Sequence, residues 1–92
     1  MRFQPIRDIN VPYLDQMAIF VTCRNYHKLP QPERERIDRL CHEICAGDAD
    51  MEAALKEALT VGGNLDEIAS RHNASRYALY RRRAKFYKRF RP

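Results

Sequence analysis

The sequence has no stretch approaching the roughly 18 uncharged apolar residues that span a bilayer. No apolar segment follows its start, Met1-Arg2-Phe3-Gln4-Pro5. A cytoplasmic protein with no membrane partner is the expectation. Cysteine is scarce and odd in number: Cys23, Cys41 and Cys45 cannot close a disulfide framework, which agrees with a reducing compartment. P-loop, dinucleotide, His-Glu-x-x-His and paired-carboxylate patterns are all missing. Cys23 and His27 could be drawn as a nucleophilic pair, but no orienting carboxylate or oxyanion-hole glycine loop accompanies them. The chain is therefore not expected to be an enzyme. There are no internal repeats or low-complexity tracts, and 92 residues make one small domain with a thin core.

One further absence is local. Residues 71–92 contain no Asp or Glu against 9 Lys/Arg, whereas residues 1–70 hold 8 Lys/Arg and 12 Asp/Glu. The net charge of +5 thus divides into −4 and +9. Concentrated basicity of this kind is the footprint of a polyanion partner, most often nucleic acid, because Lys and Arg on phosphates release condensed counterions. The bland alternative is a solvated basic tail.

What is present is helical throughout, giving an all-α class with five helices. Asn10-Val11-Pro12 opens helix 1, about 12 to 27, with Tyr13, Met17 and Phe20, then Leu14 and Val21, at helical spacing. Lys28-Leu29-Pro30-Gln31-Pro32 breaks it, and Pro32 restarts a helix. In helix 2, Ile37, Leu40, Cys41, Ile44 and Cys45 fit the amphipathic template, and Gly47 is the expected terminator. Asp48 or Asp50 caps helix 3, whose stripe is Met51, Ala54, Leu55, Ala58 and Leu59, and Gly62-Gly63 stops it. Asn64-Leu65-Asp66-Glu67 reads as a capping box for helix 4, about 65 to 72, with Ile68 and Ala69 inward. Asn73 tolerates the positive φ of a turn, and Ser75 caps helix 5, from Arg76 towards Phe90. Two helices joined this tightly make a helix-turn-helix over residues 62–92, with residues 1–61 as scaffold and possible dimerisation part.

Ala58-Leu59, Gly62-Gly63-Asn64, Glu67-Ile68-Ala69, Ser75-Arg76 and Leu79-Tyr80-Arg81 together resemble the C-terminal domain of the factor for inversion stimulation, shared by bacterial enhancer-binding activators. The likeness covers residues 58–86, roughly a third of the chain. It implies a bacterial or phage protein that binds double-stranded DNA, commonly as a homodimer. The turn departs from that pattern: Leu-Gly-Ile or Leu-Gly-Val is replaced by His72-Asn73-Ala74, with Asn73 able to stand in for glycine.

On helix 5, Leu79, Phe86 and Phe90 form the inward stripe. Arg76, Tyr77, Tyr80 and Arg81 lie off it near the N-terminus and are the candidates for base edges, since Arg can hold guanine bidentately. Ser75, Arg82, Arg83, Lys85, Lys88 and Arg89 are the candidates for phosphates, and Arg89 to Pro92 could form a disordered arm. The tyrosines, Tyr87 included, could instead pack in a core or dimer seam. Single-stranded RNA stacked on tyrosines is a weaker alternative. Such a chain is expected to act by occupancy, as a small transcriptional regulator or an architectural factor. The rival is a protein-interaction module gripping an acidic partner, with residues 1–57 available for it and a groove of Phe3, Ile6, Ile9 and Tyr13 as its mark.

Cys23, His27, Cys41 and Cys45 read as C-x3-H-x13-C-x3-C, each pair one helical turn apart, and are a candidate zinc set. Structural zinc sites favour C-x2-C knuckles, and Cys41 and Cys45 already belong to an apolar stripe. Core packing is expected, with no cofactor, and His42 should face solvent.

Overall fold

Polar side chains start three of the helices. Asp48 accepts from the amide of Met51 at 3.1 Å, Asn64 from Glu67 at 3.0 Å and Ser75 from Ala78 at 3.2 Å, each satisfying a first-turn donor that has no partner within its helix. The computed structural model describes residues 3–91. Among them the elements are α1 (Tyr13–Arg24), a 3₁₀ turn (Tyr26–Lys28), α2 (Gln31–Cys45), α3 (Ala49–Thr60), α4 (Leu65–Arg71) and α5 (Arg76–Arg89), with no strand. The all-α reading therefore holds.

Three boundaries differ from expectation for local reasons. α1 stops at Arg24 rather than 27, where the Asn25 amide is shared between the Val21 and Thr22 carbonyls at 3.2 Å each, its carboxamide also donates to Val21 at 2.8 Å, and the chain tightens into a 3₁₀ turn. α2 begins at Gln31, which places Pro32 in the first turn, where its missing N–H removes no bond. The left-handed stop of α2 starts at Ala46 (φ 49°), one residue before Gly47 (φ 88°). Ala46 takes a conformation that costs a residue with a Cβ about 1 kcal/mol.

α3 lies in the middle and packs against α1, α2, α4 and α5. Its stripe of Met51, Ala54, Leu55, Ala58 and Leu59 is buried in full, and the two alanines let neighbouring backbones approach closely. Ile37, Cys41, Ile44 and Cys45 of α2, Leu65, Ile68 and Ala69 of α4, and Leu79, Phe86 and Tyr87 of α5 complete the core with Phe90. Phe90 stacks on Phe86 at 5.1 Å, and Arg36 of α2 covers its ring and donates to the Arg91 carbonyl. The end of the chain through Arg91 is thus docked rather than a free arm; Pro92 lies outside the described residues.

Burial on α1 follows another face than the one expected. Gln16, Ile19 and Cys23 are buried, whereas Tyr13, Leu14 and Val21 remain 50%, 73% and 50% exposed. The cause is Gln16, a polar residue that hydropathy places outside. Its carboxamide accepts from the Ile6 amide at 2.8 Å and donates to the Val11 carbonyl at 3.0 Å, so it supplies the backbone partners that the irregular segment before α1 lacks. This segment lays Phe3 against Phe20 at 4.9 Å and packs Ile6 and Ile9 on the core.

All three thiols are inside. Burial pushes Cys23 and Cys41 up to about 12 and Cys45 up to about 11, so the thiolate is scarce at neutral pH. A disulfide-exchange reagent at pH 8 is expected to leave the native thiols untouched and to titrate all three in denaturant. Fast reaction of any one in the folded protein would contradict this packing.

Candidate nucleic-acid interface

The geometry of α5 is set from its N-terminal end. α4 and α5 are joined by residues 72–75, in which Asn73 takes φ 59° and the Ala74 amide donates to the Ala69 carbonyl at 2.8 Å. Asn73 thus performs the turn expected of it. His72, the polar departure in this turn, has a partner on α3. Its Nε2 lies 2.8 Å from Glu57 of α3, which also accepts two bonds from Arg71, at 3.1 and 2.6 Å. These bonds anchor the end of α4 on α3 and so fix where α5 begins.

Arg71 first, then His72, hold the Glu57 carboxyl down to about 2 from the ordinary 4.5. A depressed folded value means that the charged carboxylate stabilises the fold above pH 4.5, and that this contribution is lost as pH falls towards 2. Glu57→Gln is expected to lower the melting temperature at pH 7 and to have almost no effect near pH 2. Equal losses at both pH values would show that the ion pairs contribute nothing.

α5 then presents two distinct sets of cations. Arg76, Tyr77, Tyr80, Arg81, Lys85, Lys88 and Arg89 are exposed. Arg76 leans on Tyr77, donating to its hydroxyl at 3.1 Å, and reaches Asp66 at 3.5 Å; Arg89 lies 3.8 Å from Glu43. Arg81, Lys85 and Lys88 form no ion pair with any described residue, and with Tyr77 they follow the i, i+4, i+8, i+11 spacing of one helix face. Ser75 commits its hydroxyl oxygen to the cap.

Arg82 and Arg83 stand apart from that face. Both are half-buried, with Nε atoms out of solvent and lacking an acceptor. Arg82 acts electrostatically on Cys45 of α2, and Arg83 lies 5.8 Å from the Tyr80 ring. Burial lowers the Arg83 guanidinium from its ordinary value.

Of the residues expected to form a groove, Ile6 and Ile9 do line one, but with α5 rather than with Phe3 and Tyr13. Residues 5–9 run beside α5 and form an open groove of about 480 Å³ with Tyr80, Arg81, Arg83, Ala84 and Lys88, to which Arg7 and Asp8 contribute. Nothing periodic marks this segment. The four candidate zinc ligands do not assemble: the cysteines are core residues and His27 is exposed on the 3₁₀ turn. No group of three or more metal-ligating side chains occurs among the described residues. His42 is 69% exposed and contacts Glu52 at 3.0 Å.

Compared with known proteins, the chain matches no family description, no curated protein and no solved structure. Its function has to be read from its own geometry. No described helix is long and apolar enough to cross a membrane.

Proposed function

We propose that this chain binds double-stranded DNA as a small transcriptional regulator or architectural factor, with α4 and α5 forming a helix-turn-helix and α5 entering the major groove. The observation that carries the reading is the row Arg81, Lys85 and Lys88, exposed cations without acidic partners among the described residues, on a helix held at its start by α4 and Glu57. Unpaired surface cations in register attract phosphate and release counterions on binding. Within this reading, Arg76, Tyr77, Tyr80 and Arg81 reach base edges and adjacent phosphates near the start of α5, with Arg81 neutralising a phosphate, while Lys85, Lys88 and Arg89 hold further phosphates and Ser75 lies beside the backbone. A homodimer would match a two-fold symmetric site.

The test is selection of the purified protein against a random duplex pool at about 0.15 M salt. Enrichment of an inverted repeat supports a sequence-reading dimer, and salt-sensitive retention without a motif supports an architectural binder. Absence of retention overturns the proposal. α1 favours one other reading, a protein-interaction module, because Tyr13, Leu14 and Val21 leave an exposed apolar face.

A further inference from the structure

The segment before α1 has no regular secondary structure, yet it is fixed in place. Gln16, which is buried, accepts from the Ile6 amide at 2.8 Å and donates to the Ile6 carbonyl at 3.4 Å and the Val11 carbonyl at 3.0 Å. Ile6 and Ile9 pack on the core on either side of a turn at Arg7 and Asp8. Asp8 takes φ 62° there, a left-handed conformation that Asp reaches more readily than most residues with a Cβ. The apolar neighbours hold the turn, and its two charged residues are exposed.

This turn lines one side of the groove of about 480 Å³ whose other side is α5. On the α5 side, Arg81 and Lys88 belong to the exposed row, whereas Arg83 keeps its Nε out of solvent. Arg7 and Asp8 form no ion pair with any described residue. Arg7 is the one cation of residues 5–9, and it extends the charge of α5 onto a second element.

An α-helix with its side chains is about 10 to 12 Å across, and the major groove of DNA is about 12 Å wide. A helix that enters the groove therefore fills it, and a segment packed along the flank of that helix meets the sugar–phosphate backbone bordering the groove. We propose that residues 5–9 are a second element of the DNA interface, in which Arg7 holds a backbone phosphate and Gln16 is the positioning residue that keeps the segment there. The inference rests on the DNA-binding reading of α5. A phosphate contact fixes position and reads no sequence. Asp8, beside Arg7, opposes the phosphate and limits the affinity.

The experiment measures anisotropy of a labelled duplex with the full chain from about 50 to 200 mM salt, together with melting temperatures. Arg7→Ala is expected to make the slope of log Kobs against log salt shallower by about 0.9 and to weaken binding about fivefold near 0.15 M salt, with an unchanged melting temperature and an unchanged motif in duplex selection. Lys28→Ala removes the same charge from an exposed residue outside the groove and should leave the slope alone. Gln16→Met is expected to melt lower and to lose the same slope as Arg7→Ala, and adding Arg7→Ala to it should cost no further slope. Asp8→Asn keeps a residue that tolerates the left-handed turn and should tighten binding about twofold. A parental slope for Arg7→Ala, an equal loss for Lys28→Ala, or weaker binding by Asp8→Asn would each overturn the inference while the parent still bound the duplex. Gln16→Met with the parental slope would overturn the positioning role. A parent that fails to bind any duplex overturns the reading of α5, and this inference with it.

Discussion

Replacing Arg81, Lys85 and Lys88 together by alanine is expected to change the slope of log Kobs against log salt by about 2.7, at roughly 0.9 for each phosphate no longer neutralised. The same slope implies a loss of affinity on the order of a hundredfold near 0.15 M salt. Fluorescence anisotropy with a labelled duplex, from about 50 to 200 mM salt, covers the range in which the effect is steep. The double variant Arg82→Ala, Arg83→Met is the internal comparison. Its side chains have buried Nε atoms on the inner flanks of α5, and its slope should match the parent within error. By charge alone all five residues are equivalent, and Arg82 and Arg83 would then contribute equally to the slope. If the triple variant retained the parental slope, the exposed row would have no part in binding phosphate.

The division of these five cations shows where sequence reading stops. The spacing of Leu79, Phe86 and Phe90 is enough to place the inner face of α5, and all three are buried. Helical angle alone then puts Arg81, Lys85 and Lys88 outside. Arg82 and Arg83 flank the apolar stripe, and a long side chain there can either snorkel outward or fold back. The structure folds both inward, with their Nε atoms out of solvent and Arg83 lining the space between α1 and α3, and no local pattern in α5 encodes this.

α1 illustrates the opposite failure, in which a clear pattern misleads. Tyr13, Leu14, Met17, Phe20 and Val21 recur at helical spacing, yet the buried register is Gln16, Ile19 and Cys23. The polar residue wins because the segment before α1 has backbone groups to satisfy and Gln16 can both donate and accept. The caps Asp48, Asn64 and Ser75 and the turn residue Asn73 are legible because their chemistry is local. Glu57, which ties α3 to the end of α4, is not: its partners Arg71 and His72 are fourteen and fifteen residues away, and no spacing rule connects them.

Phe86→Ala is expected to cost about 3 to 5 kcal/mol, the range for truncating a buried aromatic side chain. Phe86 is fully buried and stacked on Phe90, so the truncation leaves a void beside a second ring whose packing depends on it. At roughly 0.05 to 0.15 kcal/mol per residue, a domain of this length has on the order of 5 to 14 kcal/mol in total. The variant should therefore have a urea midpoint lowered by about a fifth or more, or be unfolded at room temperature. Two further melts make the result specific to the observed packing. Ile19→Ala is expected to cost about 2 to 5 kcal/mol, and Leu14→Ala, on the exposed side of α1, less than about 0.5 kcal/mol. The apolar spacing of α1 predicts the reverse for Leu14. A large Leu14 effect in the monomer would restore the expected face, whereas one that grows with protein concentration would mean that a second copy covers it.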